Sequence, residues 1–139
     1  MNLKKFLIVN ILSFACINTN DKAISLSNIK DVYYIDSSNY IEIINHSKNI
    51  VYYYISLDFY QDSVYKELIT DIANPFSKAT AIKTLNSDEK KYYLFDLKKF
   101  SRNYDNLYEF EKYRLRVIYG RNFNNITSEY YSPSFKIKK

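Results

Sequence analysis

The chain has one cysteine, one glycine, one histidine, two prolines and no tryptophan among its 139 residues. Each scarcity excludes something. A lone cysteine, Cys16, can form no disulfide within the chain, so the fold must rest on its core. Zinc sites draw on several Cys and His ligands. Cys16 and His46 are too few, and no carboxylate sits at ligand spacing around His46, so no metal site is expected. His46 reads as an exposed turn residue. With Gly120 as the single glycine, phosphate-binding glycine loops and a nucleophile elbow are excluded, and no cofactor is implied. Asp58 with Asp62, and Asp88 with Glu89, are carboxylate pairs that could suggest glycosidase chemistry. Both read as solvated acids at strand ends and turns, so no catalytic residue is assigned and the chain is read as a non-enzyme. The net charge of +5 is spread along the chain without a basic run, which excludes a nucleic-acid partner.

Long apolar runs are also missing. Phe6–Phe14, broken by Asn10 and Ser13, is shorter than the roughly 20 residues a membrane-spanning helix needs. Lys4 and Lys5 precede it, and Ser13 and Ala15 lie three and one residues before Cys16. That is the layout of a secretory signal peptide over residues 1–15. Cleavage before Cys16 leaves 124 of the 139 residues and a formal charge of +3, since Lys4 and Lys5 are lost. Leu12-Ser13-Phe14-Ala15-Cys16 resembles a bacterial lipoprotein signal, with Ser13 at the place where such signals carry Leu. The resemblance implies lipid attachment at Cys16, and so a membrane partner through that anchor. The other readings are ordinary secretion with an incidental cysteine, and an uncleaved anchor. Residues 16–28 are polar and mixed, and read as a tether. The expected location is the bacterial cell envelope, or periplasmic or secreted if Cys16 is unmodified.

What the chain has in plenty is aromatic: 16 Tyr and 9 Phe. AT-rich codons account for most of that count but not for its placement. From Val32 onward the dominant period is two, the mark of half-buried strands. Strands are expected over 29–35, 40–45, 50–60, 64–72, 79–85, 91–97, 113–119 and 130–137, and residues 98–111 are expected to hold a short helical turn. In the longest, Val51, Tyr53, Ile55, Leu57 and Phe59 form the core face. Tyr52, Tyr54, Ser56, Asp58 and Tyr60 share the other. Gln61-Asp62-Ser63 reads as a hairpin, and Val64–Ile72 alternates less cleanly. Pro133 cannot donate to a ladder, so the last strand must lie at an edge or be bulged there. These elements predict an all-β fold, a single antiparallel β-sandwich of seven or eight strands over 29–139. A closed barrel is the alternative.

The order of segments over 40–137 resembles the Ig-like sandwich of small secreted bacterial lipoproteins. The residues that carry this are Asn45–Asn49 before a long strand, Asp71-Ile72, Tyr-Arg-Leu-Arg-Val-Ile-Tyr at 113–119, and Tyr-Ser-Pro-Ser-Phe-Lys-Ile at 131–137. The resemblance implies a binding or structural module without catalytic residues. Tyr113 is placed either as a tyrosine-corner residue or simply as a core ring. The expected contact surface for a protein or glycan partner is Tyr52, Tyr54 and Tyr60; the other reading has them covered by a neighbouring loop. A secreted inhibitor presenting Asp71–Lys78 or Arg121–Ser128 is the alternative function, with a carbohydrate-binding module behind it. Asn45-His46-Ser47 and Asn125-Ile126-Thr127 match the glycosylation acceptor pattern, as chance would give in an Asn-rich chain.

Overall fold

A computed structural model describes residues 23–77 and 79–139. The signal peptide, Cys16 and the first part of the tether lie outside the described residues. The strands are β1 (Ile24–Ser27), β2 (Val32–Tyr34), β3 (Ser38–Asn45), β4 (Val51–Gln61), β5 (Val64–Ile69), β6 (Lys83–Leu85), β7 (Lys90–Asp96), β8 (Tyr113–Gly120), β9 (Ser128–Tyr131) and β10 (Lys136–Lys138). One short helix, α1 (Leu97–Ser101), follows β7. Asp96 caps it by accepting from the Lys99 N–H at 3.0 Å, and it buries Leu97 and Phe100.

One sheet is ordered β1-β3-β7. The other is β5-β4-β8-β9, with β6 also paired to β4, and β2 with β10 forms a separate pair. The alternate residues of β4 expected to face inward do so: Val51, Tyr53, Ile55 and Leu57 are buried against Ile41 and Ile43 of β3 and Leu115 and Val117 of β8. With no tryptophan or disulfide at its centre, the core is built round Phe135. Its ring lies 4.9 Å from Tyr33, 5.9 Å from Phe95 and 6.2 Å from Tyr113, joining β2, β7 and β8. Tyr113 is fully buried, and its hydroxyl donates to the Leu107 carbonyl and accepts from the Phe110 N–H. It is therefore both corner residue and core ring. The architecture is an all-β, Ig-like sandwich.

Four expectations are corrected. The tether does not extend to residue 28. Ile24–Ser27 is a strand paired with β3, because Ile24 and Leu26 alternate into the core. Among the described residues there are ten strands rather than seven or eight. They are not all antiparallel, since β10 runs parallel to β2. The last expected strand is two. Pro133 has no N–H, and the chain steps out of the ladder there. Ser132 Oγ accepts the Leu115 N–H at 2.9 Å where a backbone carbonyl would have done so. Beyond the step Phe135 and Ile137 are buried while Tyr131 stays exposed.

Candidate functional site

The site is the outer face of β5-β4-β8-β9. Antiparallel register brings its residues together. Asp58 lies opposite Arg114, Ser56 opposite Arg116, Tyr60 opposite Tyr65, and Arg116 opposite Tyr131. A bulge helps. Leu57 pairs with Ile69 but Asp58 pairs with Glu67, so Leu68 is an extra residue in β5. The slip lets Ile69 enter the core while Glu67 and Tyr65 face outward.

Asp58 is the anchor. It is nearly inaccessible although it lies on the outer face, and is not the solvated acid expected beside Asp62. Arg114 Nε donates to its Oδ2 at 3.2 Å, and Arg116 Nη2 lies 3.3 Å from its Oδ1. Burial pushes the Asp58 carboxyl above its ordinary value, and the two guanidinium charges offset only part of that. Arg116 also reaches Glu67 at 2.8 Å and Glu129 at 3.2 Å. Arg114 is held differently. Its guanidinium carbon lies 3.9 Å from the ring centre of Tyr65 and 3.9 Å from that of Tyr131. Those rings come from β5 and β9, on opposite sides of β8, so the guanidinium is clamped between them. Lys112 continues the row, its Nζ 4.2 Å from the Tyr60 ring centre. Tyr131 donates to Glu129, which holds that carboxyl below its usual value and raises the Tyr131 hydroxyl.

The three tyrosines expected as a contact surface do lie on this face, but they do not form one cluster. Eight residues separate Tyr52 from Tyr60, about 27 Å along a strand. Tyr52 meets the exposed Phe123 edge-on at 5.9 Å. Tyr54 is half-buried, and burial raises its hydroxyl. Only Tyr60 joins the site, 5.1 Å from Tyr65. Sequence reasoning missed Arg114, Arg116, Tyr65 and Tyr131. The signal present was Arg114 and Arg116 two apart on one face of a strand, opposite an acid in the middle of β4.

His46 is exposed and shares a 2.6 Å hydrogen bond with Ser25 Oγ. Asp62 is exposed in its turn, paired with Lys66 at 3.4 Å. Among the described residues no group of three His, Cys, Asp or Glu could hold a metal ion, and no helix is long and apolar enough to cross a membrane.

No family model matches this sequence, and no curated protein does. Among solved structures, the chain is similar to the ASH/PapD-like domain 7 of human CEP192, with 10% identity, TM-score 0.36 and coverage of 83% of this chain and 82% of that one. It is also similar to a mutant β-glucosidase from Listeria innocua solved with laminaribiose, with 17% identity and TM-score 0.38. That match covers 84% of this chain but 16% of the glucosidase. At these scores neither neighbour says what this chain binds.

Proposed function

We propose that this protein is an exported, non-catalytic binding module that engages a protein partner with the outer face of β5-β4-β8-β9, anchored to the envelope through a lipid on Cys16. One observation carries the choice of face: Arg114, clamped between Tyr65 and Tyr131 and fixed from below by buried Asp58. Tyr and Arg are the residues interfaces favour, since each brings large contact area. A guanidinium already immobilised loses little further freedom on binding. The leader supports export, and its small residues before Cys16 support lipidation.

Two measurements test the two halves. A photo-cross-linking residue at exposed Ser128, on edge strand β9 three residues before Tyr131, is expected to trap a discrete partner in intact cells. The same residue at exposed Lys98, on α1, is not. Equal trapping from both positions would remove the face from consideration. Cys16→Ser is expected to release the protein from the membrane fraction, and retention there would refute the lipid anchor.

A second reading, an inhibitor presenting a loop, is favoured by the segment after β5. The buried Asp71 carboxylate accepts the Ala73 N–H at 2.9 Å and the Ala81 N–H at 2.8 Å. Tyr104 donates to the Pro75 carbonyl at 3.2 Å, which leaves Phe76 exposed on a pinned loop. A cross-linker at Phe76 rather than Ser128 would then trap the partner.

A further inference from the structure

The charges of the candidate face are unevenly satisfied. Arg116 is met by three carboxylates, Asp58, Glu67 and Glu129. Arg114, two residues along the same row, spends only its Nε, on Asp58. Among the described residues its Nη1 and Nη2 make no hydrogen bond, and no second carboxylate reaches it. Lys112, the next outward residue, has no ion-pair partner among the described residues and rests over Tyr60 and Tyr65, 4.2 and 6.0 Å from their centres. Positive charge therefore exceeds negative at the Tyr60 end of the face, and negative exceeds positive at the Glu129 end.

Building on the binding role proposed above, we infer that the Tyr60 end receives an acidic segment of a partner protein, with one of its carboxylates taken on the outward edge of the Arg114 guanidinium. With Nε turned down to Asp58, the free edge is the pair Nη1 and Nη2. That edge matches the two oxygens of a carboxylate. Tyr65 and Tyr131 cover the two planes of the group, leaving the edge as its open approach. Lys112 adds a second cation for a neighbouring acid.

Two other ligand classes fit less well. A nucleic-acid backbone needs a row of unpaired cations, whereas Glu67 and Glu129 would face its phosphates here. A small molecule needs a concavity. Three clefts among the described residues lie elsewhere, around Lys99 and Asn103, around Ile29 and Tyr40, and around Phe76 and Tyr104.

The probe is a fluorescein-labelled hexaglutamate peptide, read by anisotropy against the full chain at low salt and at about 0.15 M. Binding is expected, weakening as salt rises. Arg114→Lys keeps the charge but loses the fork and the stacking, and is expected to weaken binding about tenfold. That is 1.4 kcal/mol. Lys112→Gln, which touches no buried acid, is expected to weaken it about threefold. Arg102→Gln, on exposed surface beside α1, is expected to change nothing. If Arg114→Lys disturbs folding by circular dichroism, Lys112→Gln decides alone. The inference is overturned if hexaglutamine binds as well as hexaglutamate, if both variants bind like the parent chain, or if an oligothymidylate of equal length binds as tightly. A partner trapped at Ser128 that hexaglutamate does not displace would overturn the acidic ligand alone and leave the binding role standing.

Discussion

Asn45 matches a glycosylation acceptor pattern, yet its amide is used inside the protein. The side chain is fully buried. Its Nδ2 donates to the carbonyls of Asn49 at 2.7 Å, Leu85 at 3.1 Å and Asn86 at 3.0 Å. Its Oδ1 accepts from the N–H and hydroxyl of Ser47 at 2.9 and 2.7 Å. One residue thus ties the turn after β3 to the end of β6. Asn45→Ala removes the side-chain donor from the buried Leu85 carbonyl and the acceptor from the Ser47 N–H, and is expected to cost about 2 kcal/mol. Urea unfolding would show it as a lower midpoint at an unchanged slope, and an unchanged midpoint would mean that the turn is held by other contacts. The second acceptor site, Asn125, is exposed. Gly120 is explained by close approach: a Cβ there would lie 2.2 Å from the Asn125 carbonyl oxygen. Residue types alone do not reveal such roles. The alternation of Arg114 and Arg116 was legible, but their partner Asp58 lies 56 residues before Arg114 in the chain. No local pattern specifies that pairing.

At the scale of elements, strands with clean alternation were legible and strands with an irregularity were not. β4 and β8 alternate over much of their length, and their inward faces were readable. β5 carries the extra residue Leu68, which shifts the parity of its outward residues against Ile69, so its pattern read as ambiguous for a physical reason. β1 was hidden by its length of four residues and by a polar flank that resembles a linker. The β4–β5 hairpin was legible, with a cost that was not. Asp62 and Ser63, its two loop residues, have φ of 53° and 65°. A two-residue hairpin with both residues left-handed favours Asn-Gly or Asp-Gly; Asp62 suits the first place, but Ser63 stands where Gly is preferred. Ser63 is exposed, and relief of its backbone strain outweighs the added freedom of the unfolded chain. Ser63→Gly is therefore expected to raise stability by about 0.5 kcal/mol, or Tm by about 2 °C. Ser63→Val, β-branched at a positive φ, is expected to lower it by about 1 kcal/mol. Thermal unfolding of the two variants side by side checks the sign, and the same direction in both would show that strain at this turn is not the cause.

The whole molecule is a sandwich whose interior depends on phenols where other folds use tryptophan or a disulfide. That substitution has a consequence at high pH. Tyr33, Tyr53 and Tyr113 are almost wholly buried, and Tyr93 meets Tyr53 through a 2.5 Å hydroxyl contact. Burial is the main reason that all four hydroxyls are raised above 10.0, with Tyr113 pushed up to about 12. A raised folded-state value means that the folded protein keeps a proton the unfolded chain would release. The stability it represents is present in full below pH 10 and is lost as pH rises above it. Each hydroxyl that ionises only on unfolding steepens the loss by roughly 1.4 kcal/mol per pH unit, so several acting together leave a narrow alkaline limit. Tm is expected to stay level up to about pH 9.5 and then fall steeply. Absorbance at 295 nm follows the ionisation of the phenols. The buried set ionises in one step, together with loss of the near-ultraviolet circular dichroism. Tyr113→Phe keeps the ring on Phe135 and removes one of these protons. It is expected to flatten the alkaline slope while costing about 1 kcal/mol at neutral pH through the lost bonds to Leu107 and Phe110. If all tyrosines titrated near pH 10 with the circular dichroism unchanged, the aromatic core would be open to water and could not be what holds the two sheets together.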